Sequence, residues 1–137
     1  VYNVPARTGL NIAPATLEEI CRHSNVVGVK EANPDVGQAL EKMRRCGDQV
    51  AFYCGNDDLT LPMMACGFEG VISVLSNVMP ELTVAMIHAA LDGDFDTATD
   101  LQVRMLPLIE LLFSEVNPIP VKAAINLQGR EAGPLLV

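Results

Sequence analysis

Four short runs of apolar residues, rich in β-branched and aromatic side chains, recur along the first part of the chain. They cover residues 1–4, 26–29, 50–54 and 71–74. Short apolar runs of this kind are typical of strands that are buried on both faces of a sheet. We therefore expect four short strands in this part of the chain.

Amphipathic stretches separate these runs, at 16–23, 36–46 and 59–66. Val36, Leu40 and Met43, for example, lie at helical spacing and would share one face of a helix. Thr16 and Asp35 are each followed three residues later by Glu or Gln, which is the spacing of an N-terminal capping box. This part of the chain thus alternates strand and helix.

The predicted strands begin about 20 to 25 residues apart. That distance is the repeat of a right-handed βα unit, so the strands should be parallel and covered by helices. The pattern fits half of a (β/α)8 barrel or a small doubly wound sheet, and spacing alone leaves both open. Three further helices are predicted at 80–91, 95–113 and 118–127. Pro107 falls inside the second of these and is expected to kink or divide it.

Composition narrows the functional classes. The 137 residues are 50% apolar, which suffices for one compact domain with a sizeable core. A net charge of −8, from 17 acidic and 9 basic residues that form no basic stripe, argues against a nucleic-acid partner. No apolar run reaches the roughly 18 residues that cross a bilayer, and the first residues do not resemble a signal peptide. We expect no membrane partner and a cytoplasmic location.

The four cysteines predict neither a metal site nor a disulfide framework. Cys21, Cys46, Cys54 and Cys66 show no C-x-x-C spacing and lie in apolar stretches. Buried free thiols are therefore expected.

Lys30 is the first candidate for chemistry. It closes the second apolar run, and alternation places it on the same face as Val26 and Gly28, where the glycine would leave room beside the amine. In a βα barrel, catalytic groups face inward at the C-terminal ends of strands, and a desolvated lysine there loses its proton more easily. A neutral amine can attack a ketone. Position alone, however, favours the alternative of a solvated lysine at the start of a loop.

Tyr2 and Arg7 are the candidates at the end of the preceding strand. On an adjacent parallel strand the hydroxyl of Tyr2 could approach Lys30 and move protons, and the commoner alternative is a tyrosine packed in the core. Arg7 follows in a loop at the same end of the sheet, where its guanidinium suits a substrate carboxylate. A solvated loop arginine is the alternative.

A series of motifs is more specific than any one residue. In chain order these are Y-N-V-P-A-R-T-G, V-V-G-V-K-E-A, C-G-N-D-D with L-T-L-P, G-V-I-S-V-L-S-N and N-P-I-P-V-K. Over essentially the whole chain, the series resembles the dihydrodipicolinate synthase family. Related pyruvate aldolases, such as sialic acid lyase and sugar-acid aldolases, share the tyrosine and the lysine and are the runners-up.

The resemblance implies a site and a reaction. Lys30 would form an imine with pyruvate, Tyr2 would relay protons, and Arg7 would bind the carboxylate of L-aspartate 4-semialdehyde. The backbone at Gly55 and Ile72 would line the site. The enamine would add to the aldehyde, and transimination would close the ring and release the lysine on the route to lysine and diaminopimelate. No metal or organic cofactor is implied.

The resemblance also implies a division of the chain. Residues 1–79 would be the C-terminal half of a (β/α)8 barrel, with strands five to eight, and 80–137 the last barrel helix and a truncated helical appendix. The first half, with its pyruvate-binding threonine pair and a second tyrosine, is expected to be missing. The expected partners are the two small substrates, and either further copies of the chain in a homo-oligomer or the missing N-terminal half. The rival hypothesis is a non-catalytic half-barrel.

Overall fold

The structure is a computed structural model and describes residues 1–135. The chain forms two compact units, Val1–Ile72 and a second one that begins at Ser73. Within residues 1–135, every strand lies in the first unit, and the second unit is helical.

The sheet of the first unit contains four parallel strands in the order β1-β2-β3-β4. They are β1 (Tyr2–Asn3), β2 (Gly28–Glu31), β3 (Ala51–Cys54) and β4 (Gly70–Val71). Each strand pairs with the next one along the chain. A doubly wound sheet reverses its strand order at a switch point, whereas a barrel adds each strand beside the previous one. The sequential order therefore favours half of a (β/α)8 barrel over the doubly wound sheet.

All four strands differ from their predicted bounds. β1 contains only two of the four predicted residues, and β3 begins at Ala51, one residue later than predicted. β2 begins two residues later than expected and ends at Glu31, so Lys30 lies within the strand rather than closing it. Val27, predicted to be part of this strand, precedes it and is 79% exposed. β4 has two residues instead of four, because backbone pairing with β3 extends only over Gly70 and Val71.

Four helices accompany the strands of the first unit. They are α1 (Pro5–Thr8), α2 (Pro14–Cys21), α3 (Val36–Cys46) and α4 (Thr60–Ala65), the last preceded by a 3-10 turn, Asp57–Leu59. α1 was not predicted. The capping box predicted at Thr16 is wrong, because α2 begins at Pro14, its N-cap is Ala13, and no side chain caps it. Proline at the first helical position fixes a helical φ, and this signal outweighs the box.

Helix α3 has the predicted bounds, and the carboxylate of Asp35 caps it by accepting a hydrogen bond from the backbone N–H of Gln38 at 3.0 Å. Of the predicted apolar stripe, Val36 and Met43 pack against the core, whereas Leu40 is 49% exposed. The side chains that α3 buries are those of Ala39, Lys42 and Cys46. A lysine thus occupies a core position of this helix.

The apolar core of the first unit lies between the sheet and its helices. Phe52 of β3 and Phe68 form its aromatic centre, with ring centroids 5.4 Å apart. Around them pack Leu17, Cys21, Val29, Ala39, Cys46, Val50, Cys54 and Met63. The expectation of buried free thiols is confirmed for three cysteines, whereas Cys66 is half-buried.

The second unit contains α5 (Pro80–Leu91), α6 (Phe95–Leu112) and α7 (Ile119–Leu127), after a 3-10 turn at Leu75–Asn77. Helix α6 is continuous through Pro107, so the expected division is wrong. A proline inside a helix costs about 3 kcal/mol, and the burial of Met105, Ile109 and Leu112 on either side offsets this cost. None of the helices described between residues 1 and 135 combines the length and the apolar character needed to cross a membrane.

Candidate active site

Tyr2 and Lys30 meet on one face of the sheet. They are register partners on the parallel strands β1 and β2, so their side chains project to the same side. The Lys30 Nζ lies 4.3 Å from the centroid of the Tyr2 ring. The Lys30 amine therefore contacts the face of the Tyr2 ring, a geometry in which a cation is attracted to the aromatic quadrupole. Proton relay by the Tyr2 hydroxyl stays a prediction.

The space beside Lys30 is created by Gly55, which follows β3. A Cβ at position 55 would lie 3.1 Å from Lys30 Cε and 2.8 Å from Ala32 Cβ. Sequence analysis assigned that room to Gly28 instead. A Cβ on Gly28 would make only ordinary contacts, at 3.4 Å to the Ala51 carbonyl oxygen and 3.8 Å to Tyr53 Cε2. The glycine that matters for the amine is thus Gly55.

Tyr53 is a residue of this face that sequence analysis missed. It is the register partner of Lys30 on the other side, in β3, and it is half-buried. Three neighbouring strands therefore carry Tyr2, Lys30 and Tyr53 in one row. Strand alternation from Ala51 would have revealed this position, because every second residue of β3 faces the same side.

Arg7, Gly55 and Ile72 were the predicted binding residues. Arg7 lies in α1 rather than in a loop, and its exposed side chain forms no ion pair or hydrogen bond with any residue from 1 to 135. The amide of Gly55 donates to the Glu31 carbonyl at 2.7 Å, and that of Ile72 donates to the Cys54 carbonyl at 2.8 Å. Because both amides are engaged, only their carbonyl oxygens can offer a polar contact to a bound molecule.

The opposite face of β1 and β2 carries a buried polar group that sequence analysis also missed. Here Asn3, Glu31 and Lys42 form what we term the Glu31 cluster. Asn3 and Glu31 are each 1% exposed, and Lys42 is fully buried. Glu31 Oε2 lies 2.6 Å from Lys42 Nζ, and Glu31 Oε1 accepts a hydrogen bond from Asn3 Nδ2 at 2.7 Å. Sequence analysis thus selected Lys30 near a strand end as a candidate, but not Lys42, the buried lysine of α3.

The cysteines around the sheet are not suited to nucleophilic chemistry. Burial raises the pKa of the Cys54 thiol to about 11, although its contact with the Asn56 backbone acts in the opposite direction. Burial, together with the neighbouring Cys21, raises the pKa of Cys46 to about 12. Both thiols are therefore protonated at neutral pH and are poor nucleophiles. In the part of the chain that the structure covers, no group of His, Cys, Asp and Glu side chains could hold a metal ion.

Comparison with known proteins gives consistent matches. A model of the dihydrodipicolinate synthetase family matches residues 1–136. The 4-hydroxy-tetrahydrodipicolinate synthase of Exiguobacterium sp. is 50% identical over 133 residues, which are 97% of this chain and 45% of that protein. The crystal structure of dihydrodipicolinate synthase from Thermotoga maritima has 40% sequence identity and a TM-score of 0.95, over 100% of this chain and 48% of that one.

A second solved structure, of a monomeric protein, is similar over the same length. It is described as the first monomeric dihydrodipicolinate synthase variant and has 40% sequence identity and a TM-score of 0.96, over 100% of this chain and 47% of that one. The chain thus spans a little less than half the length of the proteins that it matches.

Proposed function

Because the chain belongs to the dihydrodipicolinate synthetase family, we propose that it carries the imine-forming part of a 4-hydroxy-tetrahydrodipicolinate synthase. The substrates would be pyruvate and L-aspartate 4-semialdehyde, the product would serve lysine and diaminopimelate biosynthesis, and the enzyme would act in the cytoplasm. The observation that carries the proposal is the pairing of Tyr2 with Lys30 on one sheet face, with the Lys30 side chain against Gly55.

The reaction is covalent catalysis by an amine. The neutral amine of Lys30 attacks the ketone of pyruvate and forms an imine with loss of water. The derived enamine adds through carbon to the aldehyde of the second substrate. Attack of the substrate amine on the imine then closes the ring and releases Lys30. The imine is the only carrier in this scheme, so it needs no metal or organic cofactor.

The other residues have supporting roles in this scheme. Tyr2 moves protons when the imine forms and when it is released, which general acid–base catalysis requires at both steps. Arg7 holds the carboxylate of the second substrate, and its side chain has the free donors for this contact. Gly55 and Ile72 shape the site through their backbone. The roles of Tyr2 and Lys30 apply equally to the runners-up, sialic acid lyase and sugar-acid aldolases, whereas that of Arg7 points to the synthase.

Borohydride trapping with pyruvate tests the role of Lys30. The chain has three lysines, and the other two differ sharply in their surroundings. Lys42 is buried in the Glu31 cluster, and Lys122 bonds to the Pro134 carbonyl on the second unit. We expect one covalent pyruvate-derived mass, located at Lys30 by peptide mapping. Lys30→Arg should abolish it, whereas Lys122→Arg, the matched control at an accessible lysine, should leave it unchanged.

Two outcomes would contradict the proposal. Labelling that persists in Lys30→Arg would assign the imine to another amine. Absence of any label, in the chain alone and in the chain combined with the remaining part of a family member's barrel, would support the rival hypothesis of a non-catalytic half-barrel. That rival has one observation in its favour, namely that the chain spans less than half of its relatives. Turnover with both substrates separates the synthase from the other pyruvate aldolases.

Association is part of the proposal. β1 and β4 form the two ends of the sheet order, and apolar side chains are exposed beside them, with Val1 at 41% and Ile72 at 47%. Parallel strands with free edges and apolar surroundings favour pairing with another chain. We expect a homo-oligomer, or a complex with the N-terminal half of a barrel. Sedimentation that shows a stable folded monomer at micromolar concentration would contradict this expectation.

A further inference from the structure

The Glu31 cluster is an unusual use of buried charge. Lys42 is among the largest fully buried side chains of residues 1–135, and its ion pair with Glu31 has no exposure on either side. A buried ion pair is weak evidence for stability, because apolar residues of similar volume often stabilise a core as well or better. What such a pair supplies instead is a specific geometry, since an unpaired charge in this place would be costly. The pair joins β2 to α3 and holds in place the carboxylate that accepts the Asn3 hydrogen bond from β1.

Strand β1 needs such a device because it is short. It contains only two residues. Few backbone hydrogen bonds join it to β2, among them those from the Lys30 N–H to the Val1 carbonyl at 2.8 Å and from the Ala32 N–H to the Asn3 carbonyl at 2.9 Å. A slip of one residue would turn Tyr2 away from the face of Lys30. A strand with so few backbone bonds specifies its register weakly on its own.

The cluster acts at the register step adjacent to the reactive pair. Asn3 and Glu31 are register partners directly after Tyr2 and Lys30, and they project to the opposite face of the same strands. The Asn3 side chain is held from both ends, since Nδ2 donates to Glu31 Oε1 and Oδ1 accepts from the Ile12 N–H at 3.0 Å. Lys42 in turn holds the second oxygen of Glu31 from α3. A shift of β1 along β2 would break the hydrogen bond from Asn3 to the Glu31 carboxylate, which Lys42 holds in place.

We propose that Asn3, Glu31 and Lys42 are positioning residues that hold Tyr2 in register with Lys30. They do not touch the reacting atoms, and they act by keeping the ring of Tyr2 over the amine. The consequence for imine formation rests on the proposed function, whereas the register of the two strands does not. The two parts can therefore be tested separately.

Two double variants separate hydrogen bonding from charge and volume. Glu31→Leu with Lys42→Met removes every side-chain contact of Glu31 and keeps similar volumes. Glu31→Gln with Lys42→Gln removes the same two charges but keeps an acceptor for Asn3 and a possible amide pair. The readouts are the nuclear Overhauser effect between the Tyr2 ring protons and the Lys30 Hε protons, measured on the labelled full chain, and the rate of borohydride trapping with pyruvate.

The proposal predicts different results for the two variants. The Leu/Met variant should lose the Tyr2–Lys30 Overhauser effect and trap pyruvate on the order of tenfold to hundredfold more slowly, since a misplacement of about 1 Å can cost this much. The Gln/Gln variant should retain the Tyr2–Lys30 Overhauser effect and most of the trapping rate. Met63→Ala, which opens the same apolar core away from the cluster, is the control for lost stability and should keep the effect in its folded fraction. If the Leu/Met variant does not fold, Asn3→Ser provides the same comparison with the ion pair intact.

An unchanged Overhauser effect in the folded Leu/Met variant, or in folded Asn3→Ser, would overturn the proposal. Equal losses in the Gln/Gln variant and the Leu/Met variant would also overturn it, because charge or packing alone would then explain them. A parent chain that shows the Overhauser effect but traps no pyruvate would instead refute the proposed function and leave the positioning role to be judged by the Overhauser effect.

Discussion

An alanine in place of Gly55 would force a methyl group against the lysine of the site. Its Cβ would lie 2.8 Å from Ala32 Cβ, 3.1 Å from Lys30 Cε and 3.2 Å from the Glu31 carbonyl oxygen. Carbon atoms normally approach to about 3.5 to 4.0 Å. Lys30 can move away because it is a flexible side chain, whereas Ala32 and the Glu31 carbonyl are fixed by the sheet. Gly55→Ala should therefore displace both the backbone after β3 and the Lys30 side chain.

The expected cost of Gly55→Ala is that of overpacking, about 1 to 3 kcal/mol in the free energy of unfolding. Denaturant unfolding measures this free energy. The rate of borohydride trapping with pyruvate reports on the displaced Lys30 amine, which should react at least several-fold more slowly. Gly28→Ala is the matched control on the same sheet face, since its Cβ would make only ordinary contacts, the shortest at 3.4 Å. It should change the stability by less than about 1 kcal/mol, because alanine suits an ordered backbone better than glycine does. If Gly55→Ala matches the parent in both measurements, the reasoning from these contacts is wrong.

Three further predictions follow from the site and from the shifted pKa values. In a complete barrel, Arg7→Ala should weaken the use of aspartate semialdehyde by about 1.5 to 3 kcal/mol and leave imine formation with pyruvate nearly unchanged, as steady-state and trapping rates will show. Burial raises the pKa of Cys46 to about 12 and that of Cys54 to about 11. Iodoacetamide at pH 8 should therefore not alkylate either thiol in the folded chain, whereas it should alkylate both after unfolding. A guanidinium hydrogen bond from Arg44, the largest cause, lowers the pKa of Glu41 from 4.5 to about 2. The stabilisation from Glu41 is then present above pH 4.5 and lost as the pH falls through 2, so Glu41→Gln should lower the unfolding midpoint at pH 6 and not at pH 2.

Local patterns in the sequence predicted those elements whose local preferences agree with their packing. Helix α3 has the predicted bounds because the carboxylate of Asp35 caps its first turn and its residues favour a helix. The start of α2 was missed although the signal was present, since Pro14 at the first helical position outweighs Thr16. The strand containing Lys30 was found, but its start was not, because the bounds of β2 depend on which residues find partners in β1 and β3.

The Glu31 cluster was not predictable from local patterns. A lysine on an amphipathic helix normally lies on the solvated face, so Lys42 gave no reason to expect burial. Its partner Glu31 belongs to a strand, and the third member, Asn3, comes from another strand far away in sequence. Only the packing of α3 against the sheet brings the three side chains together. Gly55 was proposed from the family resemblance, but its contact with Lys30 likewise depends on the register of β2 and β3.

Strand alternation also explains why the two lysines near β2 have different surroundings. Lys30 and Glu31 are neighbours in β2 but project to opposite faces, so the carboxylate of Glu31 is directed to Lys42 and not to Lys30. Lys30 forms no ion pair with any residue from 1 to 135, and it lies partly buried against an aromatic ring. The amine of Lys42 is thus occupied by a carboxylate, whereas that of Lys30 is left to contact another molecule. Strand β2 thus directs its carboxylate to the buried amine of Lys42, while the amine of Lys30, the candidate for imine formation, has no ion-pair partner among residues 1–135.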